Sequence, residues 1–208
     1  MRSGHEVEAA DEPGARPPRR RRDPAKTREA IIVGLLAAIT EGDFAPTTRE
    51  IAARAGTSER SIFVHFPDRD ALLLAATEYQ SATVEACLVT PDPELALAER
   101  IAIVVRQSGA IFDLQRTPRL PGLQESRSVA AIDARMRRTD ERIRAVLAAH
   151  FAPELTRPDG TIDDELLDLI DGTLAWPMRH HLQDRRGLSG AQASAALERA
   201  LRLLLAQR

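Results

Sequence analysis

Cysteine is nearly absent from this sequence: Cys87 is the single one in 208 residues, which excludes an intrachain disulfide framework. It lies in an Ala-rich helical stretch without a His or second Cys beside it, so it reads as a small buried hydrophobe in a reduced, cytoplasmic protein. Aromatic residues reach only 3%, and long Val/Ile/Thr alternations are missing, which leaves helical periodicity as the available signal. No apolar run approaches the roughly 20 residues of a membrane span, so no membrane partner is expected. The stretch 30–40 after an arginine run imitates a signal peptide, but it starts far from Met1 and is hydrophobic only at helical spacing. A glycine-rich phosphate loop, a nucleophile elbow, a paired-His metal helix and a CxxC are all lacking, so neither an enzyme nor a bound cofactor is expected. His180 and His181 are adjacent and diverge on a helix, which argues against a metal site.

What remains is an all-α pattern, 43% hydrophobic, with a length between one- and two-domain expectations. The net charge of -2 hides an uneven distribution. Glu6, Glu8, Asp11 and Glu12 precede Arg16, Arg19, Arg20, Arg21, Arg22, Lys26 and Arg28, with Pro17 and Pro18 inside the basic block. Residues 1–23 therefore read as a disordered basic arm, either a solvated tail or a segment that follows DNA phosphates.

Ile32, Leu35, Leu36 and Ile39 mark a first helix from about Pro24 to Glu41, stopped by Gly42. Thr47 with Glu50 forms a capping box for a short second helix; Thr57 or Ser58 caps a third, and Asp68 a fourth carrying Leu72, Leu73 and Leu74. Asp92, Pro93 and Glu94 form the start of a fifth helix through Ile101, Val104 and Val105. Pro118 and Pro121 punctuate a loop, and an amphipathic helix spans residues 124–151. Thr161 with Asp164 opens a helix to about residue 185, kinked at Pro177, and Ser189 with Gln192 caps the last one. Nine or ten helices are expected in all. Trp176 either fills the core between domains or lines a pocket beside the kink.

The most informative segment is TTREIAARAGTSERSIFVHFPDRDALL, residues 47–73. Ile51, Ala52, Ala55, Ile62 and Phe66 can form a small core while Gly56 turns the chain between two helices, the logic of a helix-turn-helix. The projecting face would carry Ser58, Glu59, Arg60 and Ser61, polar groups suited to base edges. Glu59 and Arg60 could instead form a surface ion pair. Thr47, Thr48, His65 and Arg69 flank that face where phosphates would run. A helical adaptor that binds protein is the alternative, but it would not need Arg49, His65 and Arg69 around a projecting polar helix.

These residues resemble the N-terminal pattern of the tetracycline-repressor (TetR) family, in register from Thr27 to about Leu74. The pieces are Thr47-Thr48-Arg49-Glu50-Ile51-Ala52, Ala55-Gly56-Thr57-Ser58, Ser61-Ile62-Phe63-Val64-His65-Phe66 and Asp68-Arg69-Asp70-Ala71-Leu72. The resemblance implies a transcriptional regulator, most simply a repressor. Its helix-turn-helix DNA-binding domain would occupy residues 24–70 and a ligand-binding and dimerisation body residues 71–208. It further implies a homodimer through the last two long helices, about 162–185 and 189–206, bound to a palindromic double-stranded operator and released by a small-molecule effector. Arg49 and residues 58–61 would reach bases, with Thr57 and Phe63 on the same surface. Three departures stand out. Phe63 replaces the usual Tyr and lacks its hydroxyl, and Arg69 replaces the usual Lys. Gly42 comes one residue early and leaves Asp43 where a left-handed residue is expected. For the effector, Phe112, Met136, Trp176 and His180 are the candidate contacts, since helix kinks open space in bundles.

Overall fold

The computed structural model describes residues 23–90, 92 and 94–206, so the basic arm, apart from Asp23, falls outside them. Helix α1 (Pro24–Thr40) begins where the Asp23 carboxylate accepts the Ala25 amide at 3.0 Å, with Pro24 at a position that needs no amide donor. Gly42, at φ 94°, ends it. The early glycine costs only a local adjustment: Gly42 makes the reversal, Asp43 is not left-handed, and its carboxylate accepts from the Ala45 amide at 3.3 Å. Helices α2 (Thr48–Arg54) and α3 (Glu59–His65) follow, separated by Gly56 at φ 61°. The capping box is present: Glu50 Oε2 accepts the Thr47 amide at 2.8 Å and Thr47 Oγ1 accepts the Glu50 amide at 3.3 Å. Ser58, not Thr57, caps α3 by accepting the Ser61 amide at 3.2 Å. Ser58→Ala should lower the free energy of unfolding in urea by about 1 kcal/mol; an unchanged midpoint would mean that water replaces the cap fully.

Helix α4 (Arg69–Glu85), capped by Asp68, starts in the head and runs into the body. Its Leu72, Ala75 and Ala76 pack with Ile31, Ile32 and Leu35 of α1, Ile51 and Ala52 of α2, and Ile62 and Phe66 around α3. Gly34 permits the close approach of α1 to α2, since a Cβ there would stand 3.2 Å from the Ile51 carbonyl oxygen.

The body departs from the sequence expectation in five places. Helix α5 (Leu97–Gln115) starts after the expected Asp92 cap, because Asp92 makes a local turn with the Glu94 amide at 3.0 Å; Pro93 lies outside the described residues. The expected loop at Pro118 and Pro121 is helix α6 (Arg119–Glu125), with Pro121 in the first turn, where an amide has no intrahelical partner anyway. The amphipathic helix α7 (Ala130–His150) accordingly begins later than residue 124, and short α8 (Ala152–Leu155) follows it. Asp163, not Thr161, caps α9 (Asp164–Leu174), because Thr161 is held by the Asp159 carboxylate at 2.6 Å.

The expected kink at Pro177 is a full break. Ala175 is extended at ψ 154°, and Pro177 sits in the first turn of α10 (Trp176–His180), which runs on as a π-helical turn over His181–Arg185. Helix α11 (Gly190–Leu205) has the expected Ser189 and Gln192 capping box. The described residues thus hold eleven α-helical segments. The second core joins Ile101, Val104 and Val105 of α5, Leu147 of α7, Leu167 and Ile170 of α9, and Leu197 and Leu201 of α11. Cys87 is half-buried and belongs to neither core; its thiol donates to the Thr83 carbonyl at 3.5 Å. Among the described residues no helix is long and apolar enough to cross a membrane.

Candidate nucleic-acid interface

The head holds α3 by one apolar side only. Ile62 is buried, which turns Ser58, Glu59, Arg60 and Phe63 outward. Arg49 on α2 is exposed as well, and among the described residues neither Arg49 nor Arg60 has an ion pair or hydrogen bond. Two exposed guanidinium groups without partners, on adjacent short helices, are free to meet external acceptors. Glu59 does not pair with Arg60; its carboxylate accepts the Thr48 hydroxyl at 2.8 Å and so ties the start of α2 to the start of α3. Thr47 Oγ1 donates to the Glu50 carboxylate at 2.7 Å, and Ser58 and Ser61 share a hydroxyl contact at 3.0 Å. Thr57 and His65 are half-buried beside this surface. Phe63 is 60% exposed, large for an aromatic ring on a head of this size.

Arg69 is not free. Its guanidinium makes a bidentate pair with Glu125 of α6, at 2.7 and 3.2 Å, and that hydrogen bonding holds the Glu125 carboxyl below the usual carboxylate range. Sequence reasoning missed Glu125, since it lies 56 residues from Arg69 in a segment read as the approach to a long helix. Arg119 of the same helix pairs with Asp140 of α7 at 3.1 Å, so α6 is tied to both head and body.

The four candidate effector contacts are not brought together. Met136 lines a cavity of about 290 Å³ between head and body, along with Leu72, Ala76 and Phe63. Phe112, Trp176 and His180 stand apart from it as a stack: the Trp176 ring is 6.1 Å from Phe112 and lies 4.6 Å from His180 at 10°. His180 also pairs with Asp184 at 2.9 Å. Trp176 Nε1 is buried without a partner among the described residues.

Residues 31–76 match the family model of the bacterial regulatory proteins of the tetR family. No curated protein is significantly similar in sequence. Among solved structures, a transcriptional regulator from Rhodococcus sp. Rha1 superposes with a TM-score of 0.70 at 17% identity, covering 86% of this chain and 96% of its own. A TetR family transcription regulator from Marinobacter aquaeolei VT8 gives 0.55 at 19%, covering 88% and 95%. The multidrug binding protein EbrR, complexed with imidazole, gives 0.54 at 23%, covering 83% and 93%. The head therefore matches the tetR family model over residues 31–76, with Arg49 of α2 and Arg60 of α3 outward on it, and the chain as a whole shares the fold of these solved regulators.

Proposed function

We propose that the chain is a cytoplasmic repressor that binds a palindromic operator as a homodimer and leaves it when a small molecule binds the body. The observation that carries the reading is the pair of exposed guanidinium groups of Arg49 and Arg60 on the α2 and α3 surface, without a partner among the described residues. In this reading Arg49, Arg60, Ser58 and Ser61 meet base edges. Thr47, Thr48, Thr57 and His65 lie along the phosphates, and residues 1–22 follow the backbone as a basic arm. Glu59 positions Thr48 instead of reading a base. Arg69 can reach a phosphate only by giving up Glu125. Dimerisation through α9, α10 and α11 is supported by their exposed Leu169, Met178 and Leu203. Two heads so joined would stand about 34 to 36 Å apart, one turn of duplex. Release by a small molecule is supported by the likeness to EbrR, which is described as a multidrug binding protein.

Binding measured by fluorescence anisotropy on operator duplexes altered one base pair at a time tests these assignments. Arg49→Ala and Arg60→Ala should each erase preference at a particular position, a loss of about 1 to 3 kcal/mol there, while His65→Ala weakens all duplexes alike. A uniform loss from all three substitutions would show that the arginines hold phosphates.

A further inference from the structure

We infer that the cavity between head and body is a binding site for a neutral, mainly apolar molecule carrying one hydrogen-bonding group. The inference deepens the reading of a ligand-released regulator by giving the ligand a place and a chemical class. The cavity is bounded by α4, α6 and α7 on the body side and by α1 and Phe63 of α3 on the head side. Its walls include Leu72, Ala76, Ile132 and Met136, and its volume of about 290 Å³ suits a compact organic molecule.

Two polar side chains decide the class. Ser81 of α4 and Gln115 at the end of α5 line the cavity, are only 6% and 7% exposed, and have no hydrogen-bond partner among the described residues. Their polar atoms are not sealed into the core, and as part of the cavity lining they can offer a hydroxyl and an amide to an occupant. Both are uncharged. Of the charged residues at the wall, Arg69 and Glu125 pair with each other, Arg119 pairs with Asp140, and the Asp68 carboxylate caps α4 by accepting the Ala71 amide, so each is already engaged and the wall favours a neutral occupant. Phe63 of α3 belongs to the same lining, so an occupant that extends to it would bear on the outward-facing helix directly. Water is the competing occupant.

The matched probes 2-naphthol and naphthalene, which share a ring system and differ by one hydroxyl, separate these cases by calorimetric titration of the full chain. Both should bind, with 2-naphthol about tenfold tighter, the worth of a good hydrogen bond. Ser81→Ala or Gln115→Leu should remove that tenfold advantage and leave naphthalene within twofold. Gly122→Leu should weaken both at least tenfold, since a Cβ at Gly122 stands 3.8 Å from the Met136 thioether, an ordinary contact that aims the new side chain at the cavity. A measurement on the unaltered chain avoids any folding defect: with methyl-labelled methionine, 2-naphthol should shift the Met136 resonance and leave Met178 unmoved. Absence of binding up to the solubility limit, equal affinities for the two probes, or a shift at Met178 alone would overturn the site. Operator binding read in the same samples keeps the two proposals apart. Probe binding with the stated pattern but no change in DNA affinity would retain the site and contradict release. A chain that binds no DNA would sink the regulator reading while the methyl shift still decides the cavity.

Discussion

Replacing Glu154 by Ala should destabilise the fold by about 3 kcal/mol, near the low end of the 3–5 kcal/mol seen when one partner of a buried ion pair is removed. Arg100 of α5 is 6% exposed in its side chain and makes two hydrogen bonds to the Glu154 carboxylate, at 2.8 and 2.6 Å. Its remaining hydrogen bonds go to neutral carbonyls, Leu95 at 3.1 Å and His150 at 2.6 Å, and the Phe151 ring lies 6.0 Å away. Without the carboxylate, the guanidinium stays buried with no counter-charge. Glu154 itself keeps 17% exposure, so water relieves part of the cost. The double replacement Arg100→Met with Glu154→Leu should recover most of the loss, because no charge is then left behind. Urea unfolding of the three variants checks this; a single-variant loss below about 1 kcal/mol would mean that the pair is effectively solvated.

A larger effect is expected on DNA binding from Leu169→Asp combined with Leu203→Asp. These leucines are 56% and 60% exposed on α9 and α11 in the isolated chain, so the substitutions remove little from its own core. Under a partner's matching face each carboxylate would be desolvated without a counter-charge, which disfavours association strongly. A monomer grips one half-site, and specific affinity should fall by about 10³, from the range of specific complexes to that of non-specific ones. Sedimentation velocity and anisotropy, run on the same preparation, read both consequences. A variant that stays dimeric and binds normally would place the interface elsewhere.

The head was more legible in the sequence than the body because its signals are local. Thr47 with Glu50, Ser58 with Ser61, and Asp68 with Ala71 each act across three residues, and the caps form where the side-chain types put them. The buried set Ile51, Ala52, Ile62 and Phe66 likewise follows from helical spacing over one short segment. In the body, the extended Ala175 between α9 and α10 could not be read from Pro177 alone, since proline suits both a kinked helix and a first turn. Pro121 misled in the same way, suggesting a loop where α6 begins. The contacts that assign roles, Arg69 to Glu125 and the lining of the cavity by Ser81 and Gln115, join residues far apart in the chain and leave no periodic trace.

Selection of random duplex DNA on the purified full chain tests the central claim most directly. The expected result is enrichment of a two-fold symmetric sequence whose half-site centres lie about 10 base pairs apart, with Arg60→Ala relaxing the same position in both halves. Failure to enrich any sequence, or enrichment of a single asymmetric element that Arg60→Ala leaves unchanged, would contradict it.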